Sequence, residues 1–378
     1  MQKIITARDH FKELDAWIRE NGCKKLLLVC DGSIAFMESF NKHLEEIRNS
    51  GVPIVDFRDF QPNPRYESVV NGVRLFRDEK CDGIVTVGGG SAMDVAKCVK
   101  LFSNQPGDGA DGAWLKAEFV PNDIPFLAMP TTAGTGSEAT RYAVIYYNDT
   151  KQSVTSESFI PGTVLMDPGA LKTLPIYQRK ATMMDAFCHA VESFWSVNSN
   201  EKSRSYSREA IVQVMRYMAG YLANTEEGNA GMLHAANTAG KAINITQTTA
   251  GHAMCYKITS LFRVAHGHAA ILCVRVLFPW MIKNTDKCTD PRGENYVLDV
   301  FQQIAEAMGC DCAESAAEKV NGIFGDLNLE VPVASRADFE LMKNSVNPDR
   351  LKNHPIALDI NTIDALYHKI LKGEPSEG

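Results

Sequence analysis

The sequence predicts an α/β N-terminal domain built on a parallel sheet, followed by an all-α C-terminal domain. Short apolar runs alternate with helically spaced segments as far as Asp167-Pro168-Gly169; from about Pro175 onward, long helical periodicities replace them. A chain of 378 residues also exceeds what one core accommodates, so two domains are expected, 1–168 and 169–378.

Residues 25–30 read as a strand that stops at the turn Asp31-Gly32-Ser33. Residues 34–49 then carry helical spacing, 52–57 a second strand and 66–80 a second helix. The run 83–87 is a third strand entering Gly88-Gly89-Gly90, with a helix over 92–102, and 125–130 is a fourth strand. Strands separated by helices imply βαβ units, with ligands at the C-terminal strand ends. Beyond the boundary, 181–196, 205–222, 232–247 and 296–307 have helical periodicity. The active site is expected in the cleft between the domains. The polar tail 373–378 is expected to fray.

Composition removes several functions. Hydrophobic residues at 45% and charged residues at 22% describe a globular chain. The net charge of −7 leaves no basic surplus to displace counterions, which argues against nucleic acid as partner. It leaves room for a small anionic substrate held by local cations. No apolar run approaches the ~20 residues of a membrane span, and the first ten residues lack the apolar core of a secretion signal. The ten cysteines show no paired spacing, and Cys310 with Cys312 does not fit a zinc knuckle. They read as reduced thiols, most of them buried, in a cytoplasmic protein.

Gly88-Gly89-Gly90-Ser91 sits between a strand and a helix, where glycines admit a phosphate and a helix N-terminus offers unpaired N–H groups. Ser91 is placed to cap that helix. A tight βα turn without ligand reads equally from this stretch alone, which is neither G-x-G-x-x-G nor a P-loop. The second stretch, Pro130 to Glu138, adds Thr131, Thr132 and Thr135 after another strand. Together the two turns fit a dinucleotide. Asp31 would accept from a ribose diol and repel a 2′-phosphate, favouring NAD over NADP; a plain turn or cap aspartate reads as well.

Asp185 and His189, spaced i, i+4, would share one helix face. His252 and His266 follow, and three imidazoles with one carboxylate suit Fe²⁺ or Zn²⁺. Spacing alone does not choose those two histidines. His234, His268 and His354 read as structural or supporting, and His10, His43 and His368 as solvated.

The ordered set 88–97, 130–138, Asp185/His189 and His252/His266, running from Asp31 to Asn347-Pro348-Asp349-Arg350, resembles the iron-containing (group III) alcohol dehydrogenases. The resemblance implies a Rossmann-like N-terminal domain and a helical metal-binding domain, the dehydroquinate synthase-like fold. It implies Asp185, His189, His252 and His266 as metal ligands, and Asp31, Gly88, Gly89, Gly90, Ser91, Thr131, Thr132 and Thr135 on the dinucleotide. Lys151 falls where the family places a lysine against the cofactor. A homodimer or larger assembly is the family habit.

The chain departs from the family at Tyr256, where many members carry a second histidine one turn after the third ligand. A phenol donates or relays a proton but is a poor base at neutral pH. The text around His252 and Ser193 is similar to the phosphonoacetaldehyde reductase subgroup, which implies reduction of phosphonoacetaldehyde to 2-hydroxyethylphosphonate. Arg141, Lys257 and Arg263 are the cations expected to hold a phosphonate; ordinary surface charge is the competing reading for each. The alternative is a general short-chain alcohol or diol dehydrogenase. A metal-stabilised binding protein without catalysis would show a broken ligand set or phosphate loop, and every motif residue is present.

Overall fold

The computed structural model describes residues 2–7 and 10–373; residues 374–378 of the tail expected to fray lie outside them. Two compact units emerge, 1–174 with 224–233 and 175–223 with 234–378. The division falls later than the expected 168/169, and a short return segment joins the first unit. Hydrogen bonds explain the return: Asn229 Nδ2 donates to the Pro168 carbonyl at 3.2 Å and Asn224 Nδ2 to the Lys172 carbonyl at 2.9 Å.

The first unit holds strands β1 (Lys3–Thr6), β2 (Leu26–Cys30), β3 (Ile54–Phe57), β4 (Gly83–Gly88), β5 (Phe126–Pro130), a hairpin of β6 (Tyr142–Tyr147) and β7 (Thr150–Thr155), and β8 (Thr163–Met166). Its helices include α1 (Lys12–Asn21), α2 (Glu38–Asn49), α3 (Tyr66–Asp78), α4 (Gly90–Phe102) and α5 (Ala113–Lys116). Six strands form one parallel sheet in the order β1-β8-β5-β4-β2-β3. Alternate residues of β2 enter opposite cores. Leu27 and Val29 join Val69 and Val73 of α3 and Val95 and Val99 of α4. Leu26 and Leu28 join Leu14 and Ile18 of α1 and Leu44 and Ile47 of α2. Both faces are covered, which is why these strands read as unbroken apolar runs.

The sequence reading missed β1, β8 and the hairpin. β1 and β8 are four residues each, and their pairing, Lys3 opposite Thr163, is long-range and leaves no local trace. His43, expected to be solvated, is buried against Asp15 at 3.0 Å. The chain leaves β2 for β3 on one side and returns to β4 on the other. That reversal makes the C-terminal ends of β2 and β4 a topological switch point, the usual ligand crevice of an open α/β sheet.

The second unit is built from α6 (Ile176–Trp195), α7 (Glu201–Leu222), most of α8 (Glu226–Thr246), α9 (Ala250–Phe262), α10 (His266–Ile282), α11 (Glu294–Ala307), α12 (Ala313–Leu327), α13 (Arg336–Ser345), α14 (Pro348–Leu351) and α15 (Ile360–Ile370). α10 is buried over most of its surface, so it carries little amphipathic signal, and α9 packs against it. Among the described residues no helix is long and apolar enough to cross a membrane. All ten cysteines are free thiols, seven of them buried.

Candidate functional site

At the switch point, β4 runs straight into the glycine turn. A Cβ on Gly88 would lie 2.5 Å from Asp31 Oδ2 and 2.6 Å from Ala92 Cβ, so only glycine lets Asp31 approach. The Gly89 N–H donates to Asp31 Oδ2 at 3.0 Å, and Ser33 donates to Asp31 Oδ1 from both its backbone and its hydroxyl. Asp31 therefore caps its own turn and also pins the glycine turn of the neighbouring strand. The Thr131 N–H donates to the Gly88 carbonyl at 3.0 Å. Added Cβ atoms at Gly89 and Gly90 would stand 3.5 Å and 3.2 Å from Thr132 and Thr135. Asp31, Gly88–Gly90, Thr131, Thr132 and Thr135 are thus gathered about one bare backbone cradle at the N-terminus of α4, where a diphosphate is favoured. Ser91 is not the cap it was expected to be: α4 starts at Gly90, with Gly89 in the cap position.

Two further residues of α4, Asp94 and Lys97, lie behind this cradle. Asp94 accepts from Ser137 Oγ at 3.1 Å and from the Val144 N–H at 3.1 Å, and burial pushes its pKa up. Lys97 Nζ donates to Ser137 Oγ, Thr140 Oγ1 and the Tyr142 carbonyl; burial pulls its pKa down to about 8. Lys151, on β7, is among the charges that act on Asp94. Arg141 is committed elsewhere. Its guanidinium donates to Glu157 at 2.8 Å and lies over the Tyr142 ring, so the structure gives no support to Arg141 as a phosphonate cation.

In the second unit, Asp185, His189 and His252 converge, each offering a ligand atom within 4.8 Å of the others. α6 supplies the first two and α9 the third. His252 Nε2 lies 3.5 Å and His189 Nε2 4.0 Å from Asp185 Oδ1, and the His189 and His252 rings stack at 4.6 Å. His266, first residue of α10, flanks the group with its ring 5.3 Å from that of His252 and its Nδ1 3.7 Å from Cys255 Sγ. Gly267 allows this approach: a Cβ there would sit 2.0 Å from the Ala181 carbonyl oxygen of α6.

Glu192, fully buried one turn after His189, is the residue the sequence reading missed. Its carboxylate accepts from His252 Nδ1, from the His252 N–H at 3.3 Å, and from Thr249 Oγ1 at 2.6 Å. Thr249 Oγ1 in turn accepts from Trp195 Nε1 at 2.8 Å. The chain Trp195–Thr249–Glu192–His252 holds the imidazole by Nδ1 and aims Nε2 at Asp185, the outer support expected of a metal-ligating histidine. The signal available for Glu192 was its helical spacing after Asp185 and His189.

Among the described residues, the buried Asp185 Oδ1 and His252 Nε2 face each other at 3.5 Å without a well-formed hydrogen bond, and such atoms are costly unless an ion satisfies them. Burial raises the Asp185 carboxyl, but the facing imidazoles outweigh it and hold the group below the usual range. Burial likewise opposes the His252 imidazolium, yet Glu192 and Asp185 lift it to about 9. A nitrogen-rich, anion-backed pocket of this kind fits a borderline divalent cation. Tyr256 stacks on His266 at 5.5 Å, and burial pushes its phenol up to about 12, so it donates at neutral pH. Lys257 lies on the metal-bearing helix, Arg263 is exposed just past it, and neither is ion-paired among the described residues. His268 is structural as expected, held by Tyr177 and the Glu330 carbonyl.

A dinucleotide cradle and a histidine-rich cation pocket on one chain define a metal-dependent nicotinamide oxidoreductase. Comparisons with known proteins agree. The model for "iron-containing alcohol dehydrogenase" matches residues 1–168, and that for the family's C-terminal region matches 180–353. The 1,3-propanediol dehydrogenase of Klebsiella pneumoniae is 32% identical over 324 residues, covering 82% of this chain and 80% of that protein. Among solved structures, a 1,3-propanediol oxidoreductase aligns with a TM-score of 0.85 at 26% identity, covering 98% of each chain. The sulfoacetaldehyde reductase of Bifidobacterium kashiwanohense, solved with NAD+, aligns with a TM-score of 0.86 at 23% identity, covering 98% of this chain and 96% of that one. The chain belongs to the iron-containing alcohol dehydrogenases, oxidoreductases that use NAD(H) and a metal.

Proposed function

We propose that this enzyme interconverts an aldehyde and a primary alcohol with NAD(H) in preference to NADP(H), and that its substrate is phosphonoacetaldehyde, reduced to 2-hydroxyethylphosphonate. The observation that carries the chemistry is the convergence of Asp185, His189 and His252, with His266 beside them and Glu192 behind. These four ligands would hold Fe²⁺ or Zn²⁺. When bound, the metal polarises the aldehyde oxygen and the nicotinamide supplies the hydride. Gly88–Ser91, Thr131, Thr132, Thr135 and Lys151 hold the cofactor, and Asp31 excludes a 2′-phosphate while fixing the glycine turn. Glu192 orients His252, and the Tyr256 hydroxyl holds a proton beside His266.

The phosphonate is supported by the subgroup-like text around His252 and Ser193, and by Lys257 and Arg263, which have no ion-pair partner among the described residues in a chain of net charge −7. The likeness to 1,3-propanediol dehydrogenases favours a second reading, a neutral short-chain alcohol or diol dehydrogenase. The family habit supports a homodimer or larger assembly. The deciding experiment is the ratio of kcat/KM for phosphonoacetaldehyde to that for propionaldehyde, with NADH and then NADPH, in metal-reconstituted enzyme. A ratio near unity sinks the phosphonate reading and leaves the diol one.

A further inference from the structure

We infer that Arg350 is the cation that holds the anionic group of the substrate. The inference rests on the anionic-aldehyde reading above and assigns it a residue outside the metal and cofactor sets. Arg350 lies on α14, which packs against α9. Its Nη1 donates to the Tyr256 hydroxyl at 3.3 Å, and its guanidinium lies 5.2 Å from the centroid of that ring. Tyr256 in turn stacks on His266 with an interplanar angle of 21°. Arg350, Tyr256 and His266 therefore form a continuous stack leading from a full positive charge to the edge of the metal cluster.

The charge on Arg350 is uncommitted. No carboxylate among the described residues lies within ion-pair distance of it, and its neighbour Asp349 is turned to Lys352 at 2.7 Å. The carboxylates of the cluster are occupied as well: Glu192 holds His252, and Asp185 faces His189 and His252. Arg292 and Arg208 of this unit end on Asp290 and Gln303, whereas Arg350, like Arg204 on Tyr296, meets a phenol, which contributes no negative charge. A half-buried guanidinium whose side-chain hydrogen-bond partner among the described residues is neutral has donors to spare for a tetrahedral oxyanion, which its planar fork suits.

One aromatic ring separates the guanidinium from His266. Phosphonate and sulfonate share this chemistry, and the test treats them as separate arms. Among the described residues, Lys257 and Arg263, the cations expected from sequence, make no comparable contact with a residue of the cluster.

The test measures kcat/KM for phosphonoacetaldehyde, sulfoacetaldehyde and propionaldehyde in the parent enzyme and in Arg350→Gln, Arg350→Lys and Lys257→Met. Arg350→Gln should lower the anionic-to-neutral ratio about 10- to 150-fold and raise the inhibition constant of methylphosphonate correspondingly. Arg350→Lys should fall between parent and Gln, and Lys257→Met should change the ratio far less. A parent that prefers the anionic aldehydes, with a ratio unchanged in Arg350→Gln, overturns the assignment of Arg350 and leaves the substrate reading standing. A parent with no such preference overturns the substrate reading, and Arg350 with it. If Arg350→Gln loses its cooperative melt, Arg350→Lys decides: a ratio reduced several-fold supports the assignment, and an unchanged one overturns it.

Discussion

The turn after β4 and the junction of α6 with α9 and α10, the two candidate ligand sites, are built from different materials. The turn works with backbone: the Gly89 N–H, the missing Cβ atoms of Gly88–Gly90, and hydroxyls from one short stretch, 131–135. Its side chains are largely satisfied by one another, Asp31 by Ser33 and Gly89, Ser33 by Thr131. The helical junction works with buried charge drawn from three helices, and Asp185 Oδ1 and His252 Nε2 are left without a hydrogen bond. A pre-satisfied cradle costs little when empty. A cation pocket that faces a carboxylate with imidazoles is incomplete by itself, because desolvated charge needs compensation. Loss of a part should therefore be graded in the first region and abrupt in the second.

The largest effect is expected at His252. His252→Ala removes a ligand and strands Glu192 and Asp185 in the interior, so metal should no longer co-purify and turnover should vanish. NADH binding, followed by fluorescence titration, should be nearly unchanged because the cradle shares no residue with the cluster. Full metal content with near-normal turnover would refute the ligand set, and the same measurement applies to His266→Ala. Next comes Glu192→Gln, which keeps the shape but removes the charge behind His252. Metal affinity, measured by competition with a chelator, should drop about 10- to 100-fold. Unchanged affinity would make Glu192 a packing residue only.

Asp31→Gly tests the cradle with a smaller, two-sided effect. NADPH should become usable as the repelling carboxylate goes, while kcat/KM for NADH falls about tenfold because Gly89 and Ser33 lose their acceptor. A parent that already uses both cofactors equally would refute the selective role. An effect on stability alone concerns Lys97, whose pKa is lowered to about 8 in the fold from 10.5. Between these values the unfolded chain binds more protons than the native one, so the lysine's contribution to stability improves as pH rises. Relative to Lys97→Met, the parent should gain about 2 kcal/mol between about pH 7.5 and 9.5 in denaturant titrations. A pH-independent difference would show that burial does not lower the Lys97 pKa.

Much of this molecule was legible before any coordinates. The sheet strands of the first unit, apart from β1 and β8, appear as apolar runs because both faces are covered. The glycine and threonine turns appear because each is a contiguous stretch whose chemistry is local. Asp185 and His189 appear because one helix turn brings them together. His252 and His266 were singled out by resemblance, since spacing alone left several histidines open. Ser91 was misplaced because the helix starts two residues earlier than expected, and the hairpin of β6 and β7 had no two-residue glycine turn to announce it.

The sequence by itself determined the alternation of strands and helices, the two turns and the Asp185/His189 pair on one helix face, because those properties follow from near neighbours in the chain. Only the tertiary structure decided which histidine Glu192 orients, where Gly267 brings α10 against α6, that Arg141 is spent on Glu157, and that Arg350 reaches Tyr256. Each of those is a contact between residues remote in sequence. Their pairing is set by helix packing in a close-packed interior, where a missing Cβ or a single buried charge selects one arrangement among many.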